Sequence, residues 1–164
     1  MTNHADLSSD SIVVRIADIK TGQNPSVITT VLGSCVAVCL YDPVQEIGGM
    51  LHCMLPQAPE GKTDFNKAKF ADTGVKELLA QLIRYPLVKK ELITAKIFGG
   101  GHVLKHVTLD IGGDNVEAVR QVLARLEIRV LAVKTGGNQG CSIAFDLATG
   151  RVKYQAFGQP VLEV

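Results

Sequence analysis

The chain has 164 residues, 46% of them apolar and 20% charged, with 17 basic against 16 acidic side chains. That length and composition describe one folded domain with a full core and exclude an intrinsically disordered chain. The near-cancelling charge gives no footing for a nucleic-acid or anionic-membrane surface, and no apolar run approaches the ~18 residues of a spanning helix.

Residues 1–10 are polar and acidic, where a signal peptide would be basic and then apolar, and they are predicted to form a flexible tail. The chain is therefore expected to be soluble and cytoplasmic. Cysteines stand at 35, 39, 53 and 141. In a reducing compartment they should be free thiols, and most free thiols are small buried hydrophobes.

Ser11 to Ile16 is β-branched and reads as a first strand; Gly22 to Pro25 reads as a turn. Val27 to Leu32 is a second strand. Val36 to Tyr41 suits a buried strand closed by Asp42-Pro43, with Gly48 to Leu55 as its antiparallel return in a hairpin. Gln57 to Lys67 reads as an exposed loop. Val75, Leu78, Leu79, Leu82 and Ile83 then recur at helical spacing, predicting an amphipathic helix from about residue 68 to 84. Leu92 to Phe98 is strand-like and runs into Gly99-Gly100-Gly101, a triplet suited to close backbone packing or a sharp turn. A second helix is predicted from Asp114 or Asn115, with Val116, Val119, Leu123 and Leu126 on one face. Ile128 to Val133, Cys141 to Leu147 and Val152 to Phe157 complete the strands, the last two joined by a turn at 148–151. Many strands with two helices around one core predict a layered α/β domain over residues 11–164.

Cys35 follows two small residues, Gly33 and Ser34, which let the backbone approach closely and leave the sulfur accessible. Backbone N–H groups at such a bend are suited to an oxyanion. The predicted hairpin places His52 roughly opposite Cys35, near enough for a thiolate–imidazolium pair. Thr29 and Thr30 lie just upstream, and either offers a hydroxyl to orient the imidazole. This is the pattern of an activated thiol nucleophile.

Other uses of the cysteines, histidines and glycines fit the sequence less well. Cys35, Cys39, His52 and Cys53 are zinc-ligand types, but adjacent strand residues point to opposite faces and Cys35-x3-Cys39 lies along a strand, so no metal site is predicted. There is no C-x-x-C redox pair, and the glycine triplet lacks the Lys-Ser/Thr of a P-loop, which leaves His102 and His106 as loop or surface residues.

The segment TTVLGSCVAVCLYDP, followed by GGMLHCMLP, KFADTGVKELL, KIFGGG and IGGDNVEAVRQVLARLEIRVLAVKTGGN, resembles the CheD family, the chemoreceptor glutamine deamidases of bacterial chemotaxis. The blocks come in the family's order and fade only at the termini. The resemblance implies a three-layer α/β/β sandwich related to the catalytic domain of cytotoxic necrotizing factor toxins. It implies a catalytic triad of Cys35, His52 and a threonine, Thr30 or Thr29. Thr30 is favoured, since family members differ by one residue between this threonine and LGSC. The implied reaction hydrolyses glutamine side chains of methyl-accepting chemotaxis receptors to glutamate, through a thioester, with neither metal nor organic cofactor. Receptor helices are the implied partners, and the phosphatase CheC is a further one in some bacteria; a monomer suffices. A member that lost its chemistry would act only as an adaptor on receptors or CheC. One position departs from the family pattern: Cys141 stands where an arginine usually follows the Gly-Gly-Asn turn.

Overall fold

The computed structural model describes residues 11–164, so the predicted tail at 1–10 lies outside the described residues. Among the described residues, ten strands form two five-stranded sheets. The strands are β1 (Ser11–Val13), β2 (Asp18–Gln23), β3 (Val27–Leu32), β4 (Val36–Asp42), β5 (Ile47–Cys53), β6 (Thr94–Gly99), β7 (Arg129–Thr135), β8 (Cys141–Asp146), β9 (Val152–Ala156) and β10 (Leu162–Glu163). A central sheet runs β2-β5-β4-β6-β7 and an outer sheet runs β1-β3-β8-β9-β10. Helices α1 (Ala71–Leu82) and α2 (Ile111–Arg125) pack on the central sheet. The layers are thus helix, sheet, sheet, the α/β/β sandwich that was expected.

Alternation along β4 builds the two cores. Val36, Val38 and Leu40 face the helices and meet Leu51, Val75, Leu78 and Leu123. Ala37, Cys39 and Tyr41 face the outer sheet and meet Ile28, Leu32, Ile143 and Phe145. Every residue of β4 and β5 is buried because both faces are covered. The Tyr41 hydroxyl crosses the inter-sheet space and donates to the Leu147 carbonyl at 2.8 Å.

Five elements differ from the sequence reading. β2 occupies most of the stretch before Pro25; Asp18, Lys20, Gly22 and Gln23 show no apolar alternation, and the strand exists through its antiparallel register with β5. The first strand ends at Val13, since the chain leaves the outer sheet and crosses to the central one through Ala17 at φ 58°. Helix α2 begins at Ile111, with Asp110 as its cap accepting from the Gly113 N–H at 2.9 Å. Glycine is a poor helix former. Yet a Cβ on Gly112 would overlap the Gly100 carbonyl, so glycine there lets the helix touch the triplet backbone. The short β10 was also missed, and α1 is shorter than the predicted 68–84 because residues 67–69 form a separate 3-10 turn.

Candidate active site

Gly33, Ser34 and Cys35 form the step from β3 in the outer sheet to β4 in the central one. The glycine triplet braces this step: Gly100 N–H donates to the Cys35 carbonyl at 2.8 Å, and Gly101 N–H to the Gly33 carbonyl at 2.9 Å. Gly99 and Gly100 have φ of 96° and 64°, conformations that favour glycine, and a Cβ on Gly99 would overlap the Cys35 carbonyl. The triplet is therefore the close-packing device its composition suggested. Cys35 is half-buried at the edge of the inter-sheet core.

The β4–β5 hairpin pairs Ala37 with His52 and Val36 with Cys53. A four-residue loop, closed by Asp42 opposite Ile47, sets this register. His52, expected roughly opposite Cys35, pairs directly with Ala37. It sits two residues along from Cys35, on a diagonal of the same face. Diagonal neighbours on paired strands are about 7–8 Å apart, within reach of an aromatic side chain.

His52 is buried, 2% exposed, and its Nδ1 lies 2.8 Å from the Thr30 hydroxyl. That hydroxyl has one proton, and it donates it to the Val14 carbonyl at 2.7 Å. Thr30 must then accept from Nδ1–H, which leaves Nε2 as the bare lone pair of the imidazole. Among the described residues Nε2 has no hydrogen-bond partner. The chain Val14–Thr30–His52 thereby assigns the tautomer and turns a basic nitrogen away from its anchor. Ala17 N–H, donating to the His52 carbonyl at 2.8 Å, fastens the same crossing segment to β5.

Thr29 is not part of this arrangement. On β3 it points to the opposite face from Thr30 and lines an outer-sheet groove of about 870 Å³ with Val13, Val31 and Ser142. The groove reaches Thr30 and His52 but does not include Cys35. The grouping of side chains, rather than this groove, marks the candidate site. Val14 was missed in the sequence because it acts through its carbonyl, and no side-chain pattern announces that.

Burial sets the protonation states. It pushes the Cys35 thiol up and the His52 imidazole down, the second shift being partly offset by the Val14 carbonyl. Both effects favour a neutral thiol beside a neutral imidazole in place of the expected ready-made ion pair. The other three cysteines are buried more deeply; desolvation pushes Cys53 up to about 12 and Cys141 up to about 11, and raises Cys39 as well. Cys53 faces the helix side and Cys39 the inter-sheet side, so these thiols diverge. Cys141 lies opposite Leu32 at the start of β8, inside the inter-sheet core. A thiol of moderate exposure, near a tautomer-fixed base, can be deprotonated as it attacks an electrophilic carbon.

Comparison with known proteins finds relatives over most of the chain. A relative from Thermotoga maritima, named chemoreceptor glutamine deamidase CheD, is 42% identical over 147 residues, covering 89% of this chain and 92% of that one. A relative from Desulforamulus reducens, named probable chemoreceptor glutamine deamidase CheD, is 41% identical over 155 residues, covering 92% and 93%. A solved structure, Bacillus licheniformis hypothetical protein YfiH, superposes with a TM-score of 0.49 at 16% identity, over 71% of this chain and 50% of that one. The family described as CheD chemotactic sensory transduction matches residues 54–156, a span that begins just after His52. With that match and these relatives, the chain belongs to the CheD family.

Proposed function

We propose that this protein is a chemoreceptor glutamine deamidase, a protein-glutamine glutaminase acting in the cytoplasm on the helices of methyl-accepting receptors. The names of its relatives support the substrate, and one geometric observation supports the chemistry. The only proton of the Thr30 hydroxyl goes to Val14, so His52 presents its Nε2 lone pair on the face that Cys35 shares.

In this mechanism Nε2 takes the Cys35 proton as sulfur attacks the side-chain amide carbon, forming the C–S bond. The protonated imidazole hands that proton to the departing nitrogen, the C–N bond breaks, and ammonia leaves a thioester. Water then attacks the thioester carbon while Nε2 accepts its proton, the C–S bond breaks, and the thiol is restored. The sum is glutamine plus water giving glutamate plus ammonia. Thr30 keeps the imidazole in register throughout, and backbone N–H groups at Gly33, Ser34 and Cys35 face the developing oxyanion. No step draws on a metal or an organic cofactor.

The test is co-expression with a cognate receptor fragment, read by mass spectrometry for conversion of glutamine to glutamate. Wild-type protein should convert selected sites, and Cys35→Ala should lower the rate by at least about a thousandfold while remaining folded. Undiminished conversion by Cys35→Ala would overturn the mechanism. A folded wild type that binds receptor or a CheC-type phosphatase and converts nothing would be the adaptor instead.

A further inference from the structure

Three successive carbonyls of the nucleophile turn are held by donors. The Gly33 and Cys35 carbonyls are held by main-chain N–H groups of the glycine triplet. The carbonyl between them, on Ser34, is held by a side chain. Asn115 Nδ2, far along the chain on α2, donates to the Ser34 carbonyl at 3.3 Å and to the Met54 carbonyl at 3.1 Å. Ser34 precedes the nucleophile and Met54 lies two residues beyond His52. One amide thus ties together the two strand ends that carry the reacting side chains. Among the described residues, the N–H groups of Gly33, Ser34 and Cys35 donate to no protein acceptor.

Asn115 is fully buried, and its Oδ1 has no hydrogen-bond partner among the described residues. Two acceptors facing one end of the amide require the NH2 there, so the orphaned atom is the oxygen. An orphaned buried acceptor is costly, and an apolar side chain at the same helical position would avoid the cost. The amide's donors are what the position gains in return. Helix α2 brings Asn115 within reach because its glycine-bearing first turn lies against Gly100.

We propose that Asn115 is a positioning residue for the reaction: it holds the Ser34 carbonyl so that the Cys35 N–H faces the oxyanion formed on the attacked amide carbon. The proposal rests on the deamidase reading above. The Ser34–Cys35 peptide is trans, so its C=O and N–H point in opposite directions. Drawing the carbonyl toward the helix layer turns the N–H toward the inter-sheet side, where the Cys35 side chain packs. Of the three donors that hold this turn, only Asn115 acts through a side chain, so substitution can remove it without altering the main chain.

The experiment compares wild type with Asn115→Ala on the receptor fragment and, separately, on iodoacetamide. Alkylation of Cys35 is displacement at a saturated carbon and forms no oxyanion. For Asn115→Ala, kcat should fall about tenfold to a hundredfold, with KM and the Cys35 alkylation rate each within about twofold of wild type. An unchanged kcat overturns the proposal, and so does a parallel fall in kcat and alkylation, which would mark a general loosening. If Asn115→Ala does not fold, wild type carries the test. A peptide with an aldehyde in place of the glutamine amide forms a thiohemiacetal at Cys35, observed by NMR. The Cys35 amide proton should move downfield, together with the Asn115 side-chain NH2 pair; unmoved Asn115 resonances overturn the proposal. Wild type that converts no receptor glutamine defeats the deamidase reading itself, whereas an active wild type with an equally active Asn115→Ala defeats only this inference.

Discussion

The two sheets of this protein are built to different tolerances. In the central sheet every residue of β4 and β5 is buried, because helices cover one face and the outer sheet covers the other. In the outer sheet β3 and β8 alternate, with Thr30 and Ile143 turned inward and Val31, 60% exposed, turned out. His52 belongs to the constrained sheet, Thr30 to the permissive one, and Cys35 to the step between them. The site is therefore a joint across two layers. The close-packed layer holds the imidazole, the step between the layers carries the half-buried thiol, and the looser layer contributes one hydroxyl from its inward face.

That contrast can be broken most directly by equivalent truncations in the two layers. Leu51→Ala, fully buried between β5 and α1, should cost about 3 kcal/mol, whereas Val31→Ala should stay within about 0.5 kcal/mol. Urea unfolding midpoints would show it, and equal losses would mean the outer face is covered in solution. Next in size is the pair Thr30→Val and Thr29→Val. The first should slow deamidation about tenfold to a hundredfold by freeing the imidazole, and the second by less than about twofold. Equal effects in steady-state assays would show that His52 takes its orientation from elsewhere.

A smaller effect concerns pH. Burial lowers the His52 pKa in the folded state below its ordinary value near 6.5. As pH falls, the unfolded chain binds this proton first. The stability due to neutral His52 is complete above about pH 6.5 and is lost as pH falls toward the depressed folded pKa, with a slope of at most about 1.4 kcal/mol per pH unit. Thermal unfolding of His52→Gln between neutral and mildly acidic pH should show a shallower acid slope than wild type. An identical slope would place the acid sensitivity on other groups.

Much of this architecture was legible in the sequence where side chains alternate or repeat. The β4–β5 hairpin, both helices and the later strands announced themselves through apolar periodicity. β2 did not, because its partner strand supplies the order and its own residues show no apolar face. The start of α2 was hidden by Gly112 and Gly113, whose helix-breaking character is outweighed by contact with the glycine triplet. Cys35, His52 and both threonines were visible as residue types, and the resemblance favoured Thr30; that Thr30 and Thr29 present opposite faces is seen only in the strand. The diagonal offset of Cys35 and His52 needed the loop length that sets the register. Val14 and the tautomer it dictates belong to the path of the main chain and leave no mark on residue type.

That last feature bears on how the protein can change over generations. The proton on the imidazole is placed by a hydroxyl whose own proton is taken by a peptide carbonyl. A carbonyl is present whatever residue occupies position 14. Position 14 is therefore free to drift among side chains that suit the core, while this tautomer is kept only with a hydroxyl at position 30. Half of the arrangement that places the imidazole proton is inherited with the backbone and lies beyond the reach of point substitution.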